Sequence, residues 1–156
     1  MAYRVASYMI SPPRTRFRWK TLTVSFVGSA PTTELTPAVA LDRATAALGR
    51  WKAKVSRDDA RGVLRFSPTF STGRSWLSAV MSREVNAATQ GTTTVVEVSA
   101  SIAPVVIAGV VFAVLAGLFV HPVIGILVGL GGVTGGNYAF VAFGMRRILA
   151  EVLYPT

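Results

Sequence analysis

IAPVVIAGVVFAVLAGLFV, residues 102–120, is joined through His121-Pro122 to VIGILVGLGGVTGGNYAFVAFGM, residues 123–145. Neither run contains Asp, Glu, Lys or Arg, and the uncharged stretch extends from Glu97 to Arg146. At about 1.5 Å per helical residue the two runs cover about 28 and 34 Å, against a hydrocarbon core of about 30 Å. One such run also fits the buried helix of a soluble protein. Two in tandem around a proline favour helices that cross a membrane as a hairpin, the longer one tilted.

The flanks set an orientation. Arg146-Arg147 closes the second run, a basic segment precedes the first, and the connecting tip has no Lys or Arg. The positive-inside rule then expects an integral protein of a bacterial inner membrane with both termini cytoplasmic. The apolar core after Arg4, Val-Ala-Ser-Tyr-Met-Ile, is too short for an export signal, so the first domain is expected to stay where it is made.

Working outward, the rest of the chain is basic. Fourteen of the sixteen Lys and Arg residues and six of the seven carboxylates lie in residues 1–101, a net charge of +8 there out of +9 for the whole chain. Charged residues make up 15% of the total, below the roughly 25% usual for soluble proteins, because the hairpin has none. There is no cysteine, which excludes disulfides, thiolate metal sites and cysteine nucleophiles.

Small residues recur in the apolar runs at helical spacing. Gly109, Ala113 and Gly117 repeat every fourth residue, and Gly125, Gly129, Gly132 and Gly136 step by four, three and four. In lipid, helices associate through close backbone approach, which small residues permit. The Gly109 stripe is expected to face the second helix. The surplus glycine there, with Gly131 and Gly135 off the stripe, leaves a surface for a partner helix, a lipid or a pigment. Asn137 either bonds to a neighbouring helix or satisfies a kink beside Gly135-Gly136. No Asp, Glu, Lys, Arg or His lies inside the runs, which argues against transport.

The N-terminal part reads as an α+β domain. Residues 1–16 form an extended arm containing Pro12-Pro13, residues 17–100 the domain, 101–147 the hairpin, and 148–156 a cytoplasmic tail. Leu22, Val24 and Phe26 alternate with polar residues as in a half-buried strand, with the phase slipping near Lys20-Thr21. Thr36-Pro37 starts a helix whose apolar face is Leu41, Ala44, Leu48, Trp51 and Val55. Asp58 to Gly62 is a turn into a strand from Gly62 to Phe66. Ser75 to Ala87 reads better as strand than helix, because Thr89-Gln90-Gly91 looks like a hairpin turn into a strand over Thr92 to Ser99. The expected order is β-α-β-β-β, one helix on an antiparallel sheet, followed by the transmembrane hairpin.

Chemistry is sparse. Arg14, Arg16, Arg18 and Lys20 alternate with Thr15, Phe17 and Trp19, which places cations on one side and aromatics on the other. Nucleic acid is one reading of this pattern; the neighbouring anchor favours anionic headgroups or an acidic partner surface, with Trp19, Arg146 and Arg147 in the same contact. Asp58-Asp59 reads as a turn pair. His121, the sole histidine, reads as a water-facing residue at the hairpin tip and not as a heme or chlorophyll ligand. No triad or phosphate-binding glycine loop is present, and no catalytic residue, cofactor or metal is assigned. The leading expectation is a non-catalytic accessory subunit of a larger membrane complex. Energy-converting assemblies, respiratory or photosynthetic, are compatible hosts. The alternatives are a self-associating scaffold or channel-like oligomer, and a tethered small-ligand sensor.

Overall fold

The computed structural model describes residues 14–67 and 83–154. β1 (Arg14–Arg18) and β2 (Thr23–Pro31) are joined by a 3-10 turn at Trp19–Thr21. Leu22 closes that turn in the left-handed region, at φ 46°. The phase slip at Lys20-Thr21 therefore marks a turn between two strands. The last residues of the expected extended arm pair with β2, because β2 offers a free edge one tight turn away.

Thr36 caps α1 (Pro37–Arg50) by accepting the Val39 N–H at 3.3 Å, with Pro37 at the first helical position. The helix stops before Val55, which had extended its apolar face in sequence. Lys52 turns to φ 52°, and Val55 falls in β3 (Lys54–Asp58). A turn with Gly62 at φ 65° leads to β4 (Val63–Ser67). β5 (Arg83–Gln90) and β6 (Thr93–Ser101) form a hairpin over Gly91. The first half of the strand expected over Ser75 to Ala87 lies outside the described residues. Among the described residues the order is β-β-α-β-β-β-β, where β-α-β-β-β was expected. The six strands form one antiparallel sheet in the order β1-β2-β6-β5-β4-β3.

Register explains the core. Phe26, Val98, Val85 and Leu64 lie in one cross-strand row, and Val24, Ala100, Arg83 and Phe66 in the next. All eight are buried. One face of the sheet is therefore apolar, and among the described residues two helices cover it. The first is α1, through Leu41, Ala44 and Leu48. The second is the end of the last helix.

After β6 come α2 (Ala103–Phe119) and α3 (Pro122–Leu153). α3 is long and apolar enough to cross a membrane; α2, at 17 residues, is shorter. α3 does not stop at Met145, nor is there a separate tail from residue 148. Val141, Met145, Ile148, Leu149, Val152 and Leu153 recur on one helical face and are buried in the domain core. Arg146 and Arg147 interrupt the charge-free run but are exposed residues of a helix that continues. Arg43 of α1 donates to the Val152 carbonyl at 3.0 Å. Leu149 and Leu153 lie over Gly28 of β2, where a side chain on the strand would displace Leu153.

The first half of α3 packs instead on α2. A Cβ at Gly125 would lie 2.9 Å from the Gly117 Cα, and one at Gly129 would lie 2.6 Å from the Ala113 Cβ. Residues Leu127–Gly135 take the wider π-helical turn. The glycines here have no β-carbon to resist it, and Thr134 Oγ1 donates to the Gly129 carbonyl at 3.3 Å.

Candidate functional site

The sheet register brings a defined set of loops to the end where α2 begins. Thr23 of β2 faces Ser101 of β6, Arg83 faces Ala100, and Ser67 faces Lys54. The Ile102 N–H donates to the Leu22 carbonyl at 2.8 Å, which ties the Trp19–Thr21 turn to the root of α2. The turn after α1, at Trp51-Lys52, reaches the same end, since β3 starts there.

Two Trp-Lys pairs therefore stand at the root of the helix pair. Trp19 is 79% exposed and packs edge-on against Phe17, with ring centroids 4.6 Å apart. Trp51 lies against Gly144 of α3, and the Arg147 guanidinium sits 5.7 Å from its ring centroid. Arg146 lies 5.0 Å from the Phe26 ring. Glu151 accepts from Arg147 at 3.2 Å and also pairs with Arg50, which links α1 to α3 at the surface. Indole rings beside cations favour the boundary between water and lipid, where the ring body is buried and the charge stays wet.

Between Trp51, Phe66 and Arg83 on the sheet side and Phe140, Phe143, Gly144 and Arg147 on α3 there is a cleft of about 220 Å³. Its walls are aromatic or aliphatic, and its polar groups are two guanidiniums. Among the described residues no carboxylate lines it.

The opposite end of the sheet differs. Arg57 donates to Asp42 and Asp59 at 2.5 Å each, and Arg61 lies 3.7 Å from Asp58. The hydrogen bonds to Asp42 and then Asp59 hold the Arg57 guanidinium above its ordinary pKa. Both members of the Asp58-Asp59 pair thus face arginines in a surface turn.

The sequence candidates separate in space. Arg14, Arg16 and Arg18 share the sheet face away from the helices, in register with Val27, Ser25 and Thr23, and Arg18 lies 3.6 Å from Glu97. Lys20 leaves that row because it is in the turn. Gly109, Ala113 and Gly117 meet Gly125 and Gly129 in the seam between α2 and α3. Gly132 and Gly136 do not; a Cβ added at either would meet no atom of α2 within 4 Å, and one at Gly131 would also face open space. Asn137 donates from Nδ2 to the Val133 carbonyl of its own helix at 2.7 Å. His121 caps α3, its Nδ1 accepting the Val123 N–H at 3.3 Å. Among the described residues no group of three or more His, Asp or Glu side chains is arranged to hold a metal ion. Trp51 and Phe66 were read from the sequence only as core residues of a helix and a strand, and Arg83, Phe140, Phe143 and Gly144 were not assigned to a site. The repeated Trp-Lys dipeptide, at 19–20 and 51–52, was the signal available for Trp51.

No known protein family, curated protein or solved structure matches this chain. What the fold itself defines is an α+β domain on a six-stranded antiparallel sheet, closed by the end of a long apolar helix.

Proposed function

We propose that this chain is a non-catalytic, membrane-anchored accessory subunit of a larger membrane complex. In this reading α2 and the first half of α3 cross the bilayer as a hairpin. Both termini are cytoplasmic, and the two Trp-Lys pairs lie at the headgroups. The observation that carries it is the inversion of the helix pair. Its interior is Gly109, Gly125, Gly129 and Ala113, and its outside is Ile107, Val111, Leu115, Leu118, Phe119, Ile126 and Leu127, all exposed. In water the hydrophobic effect puts large side chains inside, each worth about 1.5–3 kcal/mol on burial. A seam of glycine beneath an aliphatic exterior suits a solvent as apolar as leucine itself. The 17 residues of α2 span about 25 Å, enough for a hydrocarbon core of about 30 Å once Trp19 and the tip residues sit at its edges.

The partner is inferred from the glycine face that the seam leaves over. Gly131 and Gly136 face open space on the outside of α3. A second helix could approach there as α2 does at Gly129. The test is purification from native membranes in mild detergent, together with bifunctional crosslinking from Gly131→Cys. Crosslinks to a different co-purifying chain support an accessory subunit. Self-crosslinks alone move the assignment to a homo-oligomeric scaffold. A monomer with neither overturns both readings.

A further inference from the structure

The cleft at the root of α3 is an amphipathic site at the level where headgroups meet hydrocarbon, if the hairpin is inserted as proposed above; the inference rests on that reading. We propose that it binds the phosphate headgroup of an anionic glycerophospholipid from the surrounding bilayer.

Four observations converge. First, Arg83 is 6% exposed yet lies in an otherwise apolar row, facing α3. A guanidinium presents planar donors suited to phosphate oxygens, and it stays charged at any physiological pH. Second, Arg147, whose Nε donates to Glu151 at 3.2 Å outside the cleft lining, lines the same cleft from the helix side, so two guanidiniums flank one space whose described lining holds no carboxylate. Third, the volume, about 220 Å³, is below the roughly 300–1,000 Å³ of pockets that engulf a drug-sized ligand. It takes a headgroup and leaves the acyl chains outside. Fourth, the exit for those chains is apolar. Phe143, 69% exposed, and Phe140 lie on the α3 surface on the side of the cleft toward the helix pair. Basic pockets beside transmembrane helices on the cytoplasmic side are recurrent sites for acidic lipids.

The experiment uses the full chain in detergent, with phosphatidylglycerol, phosphatidylcholine or inorganic phosphate added, and native mass spectrometry counting bound molecules. Wild type should retain one phosphatidylglycerol in preference to phosphatidylcholine. Arg83→Gln should lower that preference about five-fold, the effect of one cation near an anionic surface. Should Arg83→Gln not fold, Gly144→Leu decides. A Cβ there meets Trp51 at 3.7 Å, an ordinary contact, and the rest of the leucine fills the cleft. It should abolish the retained lipid while circular dichroism stays that of wild type.

Equal retention of the two lipids by wild type overturns the proposal. So does undiminished phosphatidylglycerol on folded Gly144→Leu, or saturation by inorganic phosphate alone at the concentration where the lipid binds. Carbonate extraction of native membranes separates this failure from the one beneath it. A chain that stays in the pellet but shows no lipid preference loses only the lipid site. A chain released to the supernatant loses the anchor as well.

Discussion

Leu149 provides the sharpest test of how this molecule is built. It lies beyond Arg146-Arg147, where a cytoplasmic tail was expected, yet it is 1% exposed in the core. Replacing it with alanine removes three carbon groups, worth about 2.4 kcal/mol at roughly 0.8 kcal/mol each. A cavity term adds to this, and core Leu→Ala changes fall at about 2–5 kcal/mol in all. The site is poorly able to collapse, because the strand position beneath Leu149 is Gly28, which has no side chain to move into the gap. Leu153, also over Gly28, is one side chain placed to shift toward it. A cost of about 3–4 kcal/mol follows. For a chain of this length that is a loss of about 10 °C in Tm. The assay is thermal unfolding of the detergent-solubilised full chain, followed by tryptophan fluorescence. Phe143→Ala, at an exposed position on the same helix, is the control and should move Tm little. A Leu149→Ala change within about 0.5 kcal/mol of wild type, the range of an ordinary surface substitution, would refute the packing of α3 into the sheet.

Other outcomes follow from the same geometry. Gly129→Leu must force α2 and α3 apart, since even its Cβ would lie 2.6 Å from that of Ala113; disulfide trapping between engineered cysteines across the seam should fail in this variant and persist in Gly131→Leu, whose position faces open space. Arg43→Met removes the charged donor to the Val152 carbonyl and should cost about 1.5–3 kcal/mol, read as a lower midpoint in chemical denaturation with an unchanged slope. If the Trp19–Thr21 turn lies in headgroups, Trp19→Phe should remove a component of the tryptophan emission that brominated lipid quenches when the chain is in vesicles; equal fractional quenching with and without Trp19 would count against that depth.

Which of these features could be read without coordinates depends on the range of the interaction behind each. The cap at Thr36, the turns at Gly62 and Gly91 and the alternation of β6 are local, and neighbouring residues suffice to specify them. The β1 strand was not legible, because pairing rather than side-chain pattern makes it a strand: all five of its residues are exposed. Val55 continued the helical spacing of α1 by coincidence, and the backbone reversal at Lys52 left no mark in the hydrophobic pattern. The two roles of α3 overlapped in one apolar run. Its first half is apolar all round, while its last turns are apolar on one face only, and Arg146-Arg147 fall between the two regimes. Charge was read as a stop; a change of period was the better signal. The cleft was illegible for a similar reason, since Trp51, Arg83 and Gly144 come from three elements and meet only through register and packing.

The placement of the last helix has a consequence for how the protein is made. Synthesis delivers the sheet first, then α2, and last among these elements the part of α3 from Val141 to Leu153 that covers the sheet. A domain that precedes apolar helices can ordinarily finish folding before they leave the ribosome. Here Phe26 of β2 and Val98 of β6 lack the cover of α3 until the residues from Val141 to Leu153 have emerged. Completion of the fold is thereby timed to follow the delivery of both apolar helices. A chain that stalls between those two events presents an open hydrophobic sheet to chaperones and proteases.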